Sequence, residues 1–235
     1  MALFSRSLRW PRGVPATTSL VRSYFIKTET TPNPESMKFL PDTTVLPAEY
    51  GTGMHFDVND KKAIRRSPLV KKLIETDGVK HVFLGKDFIT ITKKPTETWK
   101  VLKTLIFSAI LDHFASGEPA VTEEPQVSDT QILDDDSEVV ALIKELIETK
   151  VRPSVQDDGG DIFFVKFDEQ NGLVSVRLAG SCVGCPSSSV TLRNGVENML
   201  KHYIPEVKGI MEAPPDEEDD AAHDTTQKLE FHPST

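Results

Sequence analysis

Within residues 28–117 the apolar positions switch between two spacings, and each switch marks an element. Residues 37–40 form a short apolar stretch stopped by Pro41, which predicts a strand. Ser67 and Pro68 supply an N-cap and a first helical residue. Leu69, Val70, Leu73 and Ile74 then make a stripe at helical spacing that ends at Asp77-Gly78. Val79, Val82 and Leu84 lead into a tight turn at 85–87, and the β-branched run 88–92 predicts a second strand. From Trp99 the helical spacing returns through Leu102, Leu105, Ile106, Ala109, Ile110 and Phe114, up to Gly117. This block reads as an α+β unit.

Residues 139–211 show the same mixture. Asp136 or Ser137 caps a helix whose apolar face is Val139, Val140, Leu142, Ile143, Leu146 and Ile147, and Arg152-Pro153 is expected to close it. A turn at 157–161 centres on Gly159-Gly160. Two strands, 162–167 and 173–178, then flank the hairpin signal Asn171-Gly172. The second strand runs directly into Gly180-Ser181-Cys182-Val183-Gly184-Cys185-Pro186. Val190, Leu192, Val196, Met199 and Leu200 predict a helix with Pro186 in its first turn, and 207–211 a last short strand.

Charge confirms where these blocks begin and end. The chain of 235 residues carries 27 basic and 36 acidic side chains, a net charge of −9, so no basic footprint for nucleic acid exists over the whole chain. No apolar run approaches the roughly 18 residues needed to span a membrane, and neither a nucleic-acid nor a membrane partner is expected. Residues 1–27 hold Arg6, Arg9, Arg12, Arg22 and Lys27 without one acid, and Phe4 and Leu8 lie a helical turn apart. That composition predicts a mitochondrial transit peptide over 1–23 and a matrix location. The first domain then covers 24–117. Residues 118–137 are expected to form a flexible, self-repelling acidic linker containing Pro119 and Pro125. The second domain covers 138–211, and 212–235 reads as a disordered acidic tail.

Cys182 and Cys185 are the only cysteines in the chain. So few thiols fit a reducing compartment. The spacing places Cys182 in a loop and Cys185 at a helix entrance, where unpaired N–H groups and the helix dipole favour a thiolate, the form that binds soft metals. Gly180 and Gly184 leave room for the backbone to wrap such a centre. Two sulfurs make only a half-site, because tetrahedral zinc or an iron–sulfur cluster usually takes four protein ligands. A second copy of the chain can supply the missing pair, which predicts a metal or cluster held across a two-fold axis.

Three other readings use the same residues. A thiol–disulfide oxidoreductase also sets CxxC at a helix start, but the elements before it here read helix then hairpin, and no aromatic residue directly precedes Cys182. A structural zinc half-site is the second, and an inert buried pair the third. His55, His81 and His113 lie in different elements and read as surface or core-edge residues rather than ligands, and His202 lies too far along its helix. Asp157, Asp158 and Asp161 lack the oxygen-rich spacing of a hard-metal loop, so the turn they flank reads as a structural support beside the cysteine loop.

The ordered motifs across both blocks carry a resemblance. Asp157-Asp-Gly-Gly-Asp161, the segment 180–188, Leu192-Arg-Asn-Gly195 and Ile204-Pro-Glu-Val207 resemble the C-terminal domain of NifU-like (Nfu) iron–sulfur scaffold proteins. Thr31-Pro-Asn-Pro34, Met37-Lys-Phe39, Arg66-Ser-Pro-Leu69, Gly78-Val79 and 87–92 are similar to the N-terminal domain of the mitochondrial members. The resemblance spans about residues 24–211. It implies two small α+β domains and a non-enzymatic carrier. A 4Fe-4S cluster, or a 2Fe-2S form, would sit on Cys182 and Cys185 of two subunits. It further implies exchange with iron–sulfur assembly proteins and delivery to mitochondrial apoproteins such as lipoate synthase and respiratory-complex subunits. The family assigns no catalytic residue.

Overall fold

The computed structural model describes residues 25–122, 128–184 and 186–213. The expected transit peptide, most of the acidic tail and Cys185 lie outside them. The chain is α+β, built as two units, each with its own sheet.

The N-terminal unit is an antiparallel sheet in the order β1-β2-β5-β4-β3. Its strands are β1 (Lys27–Thr30), β2 (Ser36–Leu40), β3 (Gly53–Asp57), β4 (Val79–Gly85) and β5 (Ile89–Lys93). Helices α1 (Lys61–Arg65), α2 (Pro68–Ile74) and α3 (Trp99–Ser116) accompany it. Because successive side chains in a strand point to opposite faces, Phe39, Val82, Leu84, Ile89 and Ile91 meet Leu69, Leu73, Leu102, Ile106 and Ile110 in one core. Ser67 caps α2 as expected, accepting from the Val70 N–H at 3.1 Å. Its hydroxyl also donates to the Ala120 carbonyl, tying the residues after α3 to the start of α2.

The alternate positions, Lys38, Phe83, Thr90 and Thr92, are buried too. All five residues of β5 are inaccessible, the mark of a strand covered on both faces. The second cover is the C-terminal unit, where Phe83 and Phe88 join Ala179 and Phe163 in a small shared apolar cluster.

That second unit starts with α4 (Glu138–Leu146), capped by Ser137. The expected helix end at Arg152-Pro153 is not observed. The chain widens into a π turn at Ile147–Val151 and continues as α5 (Arg152–Asp157). Pro153 falls in the first turn of α5, where its missing N–H is tolerated, and the wide turn replaces the one its ring would disrupt. Strands β6 (Gly160–Asp168) and β7 (Leu173–Gly180) form the expected hairpin. Helix α6 (Pro186–Tyr203) then crosses over to β8 (Gly209–Glu212), which pairs parallel with β7. The three elements make a βαβ crossover that the sequence reading did not foresee. Ile143, Ile147, Val151, Ile162, Val176 and Leu200 fill this core.

The acidic connection is anchored at both ends, which offsets its self-repulsion there. Ala120 and Val121 are buried against the first core, and the Thr122 N–H donates to the Arg66 carbonyl at 2.8 Å. On the far side Asp136 pairs with Lys144 at 2.6 Å, and Asp129 clasps Arg152 at 2.7 and 2.8 Å. Residues 123–127 lie outside the described part. Among the described residues no helix is long and apolar enough to cross a membrane.

Candidate functional site

The cysteine turn is set by the end of β7. Gly180 adopts φ +65°, a left-handed conformation open to glycine, and the chain folds over the turn between α5 and β6. The Ser181 N–H donates to the Gly159 carbonyl at 3.1 Å and the Ser181 hydroxyl to the Asp158 carbonyl at 2.7 Å. Cys182 is buried, with 5% of its surface exposed. Its sulfur occupies the space that a side chain at 160 would need, since a Cβ on Gly160 would lie 2.3 Å from Sγ. Gly160, in the turn expected beside the cysteine loop, is therefore required by the packing of that loop as well.

Beside Cys182 opens a cavity of about 480 Å³. Val151 and Val155 of the helix and Leu192, Val196 and Met199 of α6 give it apolar walls, with Lys150, Ser154 and Asp158 as its polar part. Pro32, from the N-terminal unit, completes the wall. A soft thiol on an apolar wall is a donor suited to iron or another soft metal. Among the described residues no group of three or more His, Cys, Asp and Glu side chains is placed to hold a metal ion.

The sequence reading gave the N-terminal block no part in this site. Thr31 and Asn33 each precede a proline, which restricts them to extended backbone, so the Thr31-Pro-Asn-Pro34 segment presents a stiff turn. Asn33, 4% exposed, donates through Nδ2 to the carbonyls of Ser181 at 3.1 Å and Val183 at 3.4 Å. Its Oδ1 accepts from the Glu35 N–H at 3.0 Å. Thr90 donates to the Gly159 carbonyl at 2.7 Å, and Lys38 donates to the carbonyls of Gln156 and Asp157 at 3.0 and 3.3 Å. Asparagine between two prolines was the available signal, but nothing in the sequence said what it would face.

Two of the histidines also meet. Strands β3 and β4 place the His55 and His81 rings 5.2 Å apart, and His55 Nδ1 accepts from the Gly180 N–H at 3.4 Å. Burial, then the proximity of His81, lowers the His55 pKa from 6.5 to about 4 against the opposing pull of Asp57. His113 is fully buried rather than at a core edge, and its pKa is lowered chiefly by that burial. The neutral form of His55 is the one the fold binds, so its contribution is complete above pH 6.5. It is lost as pH falls toward 4, costing about 3 kcal/mol in total. Denaturant titrations across that range should show this loss, and His55→Asn, which keeps an acceptor without titrating, should flatten the difference. Parallel pH profiles for the two proteins would contradict it.

Behind the turn lies a buried ion cluster that the sequence reading missed. Arg152, 2% exposed, meets Asp161 at 3.1 Å, bonds Glu148 and Asp129, and donates to the Ile162 carbonyl at 3.0 Å. Burial works against its charge, but Asp161, Asp129 and Glu148 outweigh that and raise its pKa. Burial likewise pushes Asp161 upward, with Arg152 opposing. Asp161 has the structural role expected of the 157–161 turn.

Comparison with known proteins covers most of the described chain. Residues 143–211 match the NifU-like domain, and residues 26–117 match the N-terminal domain described as scaffold protein Nfu/NifU N terminal. A NifU-like protein of Schizosaccharomyces pombe is 47% identical over 201 residues, covering 85% of this chain and 76% of its own. A mitochondrial NFU1 iron-sulfur cluster scaffold homolog of Drosophila persimilis is 50% identical over 189 residues, covering 80% of this chain and 65% of its own. Mitochondrial NifU-like protein 5 of Arabidopsis thaliana is 49% identical over 191 residues, 80% of this chain and 68% of its own. The solution structure of a NifU-like protein from Saccharomyces cerevisiae aligns with a TM-score of 0.42 at 26% identity, over 50% of this chain and 100% of that one. The chain is mitochondrial, in keeping with the names of the fly and plant relatives.

Proposed function

From the premise that this chain belongs to the Nfu/NifU scaffold protein family, we propose that it carries an iron–sulfur cluster as cargo on Cys182 and Cys185, shared between two copies. The carrying observation is the Cys182 turn, a thiol on the wall of an apolar cavity in a chain that has one other cysteine. Four thiolates complete a 4Fe-4S site, and one chain has two. The two-fold pairing of identical turns supplies the rest. A 2Fe-2S cluster fits the same ligand set. Because the cluster sits between subunits, it is released when they part, which suits delivery to apoproteins such as lipoate synthase and respiratory-complex subunits. The chain then acts as a carrier and not as a catalyst, with domains over 24–117 and 138–211.

Anaerobic reconstitution of the full chain with iron and sulfide should yield a brown dimer with about one four-iron cluster per two chains. Iron and sulfide analysis together with mass in solution reads the result. A monomer holding a complete cluster, or a protein that takes zinc and refuses iron, would overturn the reading. Reduction of insulin disulfides by the monomer would favour thiol–disulfide exchange instead.

A further inference from the structure

From the N-terminal unit the Cys182 turn is held by the Thr31–Ser36 turn, which joins β1 to β2, and by Thr90 of the neighbouring β5. Asn33 bonds the carbonyls on either side of Cys182, those of Ser181 and Val183. Thr90 bonds Gly159, whose carbonyl also receives the Ser181 N–H, so the support of the turn is gripped together with the turn. Pro32, adjacent to Asn33, walls the cavity on which the sulfur lies. A cluster shared by two copies needs both Cys182 sulfurs to reach a common centre, yet here Cys182 is 5% exposed.

We infer that the Thr31–Ser36 turn is a gate over the cysteine turn: docked, it restricts access to Cys182, and it must withdraw before a second copy can share a cluster there. Asn33 is the latch. The turn keeps its shape when it lifts, because the hydroxyl of Thr31 bonds the carbonyls of Asn33 and Ser36 at 2.8 and 3.1 Å, while Ser36, bonded to Thr92 of β5 at 2.8 Å, is its fixed end. Asn33 crosses the boundary by neutral hydrogen bonds, each of modest net strength, so lifting the turn from Cys182 takes a small change in free energy while Lys38 and the cluster of Phe83, Phe88 and Ala179 keep the two units together. What the gate admits rests on the scaffold reading above, whereas its effect on the Cys182 thiol does not.

The test uses the full chain with Cys185→Ser, leaving Cys182 as the single thiol, and reads its alkylation by N-ethylmaleimide through intact mass. Adding Asn33→Ala should raise the alkylation rate roughly five- to tenfold, the effect of losing about one net hydrogen bond from the closed state. Thr90→Val, which keeps the side-chain shape and removes the donor, should raise it in the same direction, and circular dichroism verifies that both remain folded. An alkylation rate unchanged in both variants overturns the gate. In the chain with both cysteines, Asn33→Ala should also speed cluster loading during reconstitution. Faster alkylation with no iron uptake by either protein would leave the gate standing and remove the scaffold reading. Unchanged alkylation in a protein that loads normally does the reverse.

Discussion

Arg152→Leu should lower the free energy of unfolding by about 3–5 kcal/mol, a large share of the ~5–15 kcal/mol that holds a typical domain. Among the described residues the guanidinium is the cation paired with Asp161, which is fully buried, and it also bonds Asp129 and Glu148. A leucine of similar bulk leaves the buried Asp161 carboxylate without a counter-charge, holding the Ile162 N–H and Gln156 bonds at 2.8 and 3.2 Å, and that desolvation cost dominates over any gain in apolar packing. It also takes the guanidinium from Asp129, which is left with the Phe164 N–H at 2.7 Å, so the connection between the units should loosen with the core. Arg152→Lys keeps the charge but has no planar fork to serve Asp161, Asp129 and the Ile162 carbonyl together, and should fall between the two. Guanidinium unfolding followed by circular dichroism measures all three proteins. A loss under about 1 kcal/mol for the leucine variant would show the cluster to be energetically neutral.

Cys182→Ser should abolish the bound cluster while the fold survives. Placing a hydroxyl where a thiol packs against Gly160 costs about 1–3 kcal/mol, well below the usual total stability. The loss of cargo, by contrast, should be complete, because a serine hydroxyl is not a thiolate at neutral pH and the chain has no third cysteine to substitute. Cys182→Ala serves as a second variant without a buried hydroxyl. Iron content after anaerobic reconstitution, paired with thermal unfolding, separates the two effects. Normal iron content in the folded variants would remove Cys182 from the site.

The strongly periodic elements were legible. The α2 stripe with its Ser67-Pro68 start, the 88–92 strand and the Asn171-Gly172 hairpin rest on local chemistry that acts within a few residues. Strands β1 and β3 were not, since the first is the polar sequence Lys-Thr-Glu-Thr on a sheet edge and the second a short mixed segment. Arg152 was misread as a helix stop because Pro153 carries that meaning locally, whereas its partners Asp129 and Asp161 lie 23 and 9 positions away. The cysteine turn was found from spacing alone, but Cys185 falls outside the described residues, so only half of the expected ligand pair has a described place. The embrace of that turn by Asn33 and Thr90 crosses 148 and 69 positions of chain. No periodicity records contacts of that reach; they arise from a sheet whose two faces are both covered.

The short stretch between the two anchors of the acidic connection sets how far that cover can move. Thr122 is fastened to Arg66 and Asp129 to Arg152, so six residues lie between the fastenings. The covalent geometry of a chain that long limits the separation of the two fastenings to roughly 23–25 Å. An undocked N-terminal unit therefore stays in the neighbourhood of the surface it left, at an effective concentration on the order of millimolar. Any visitor to that surface, whether a sister chain or a recipient protein, competes with a resident that never diffuses away.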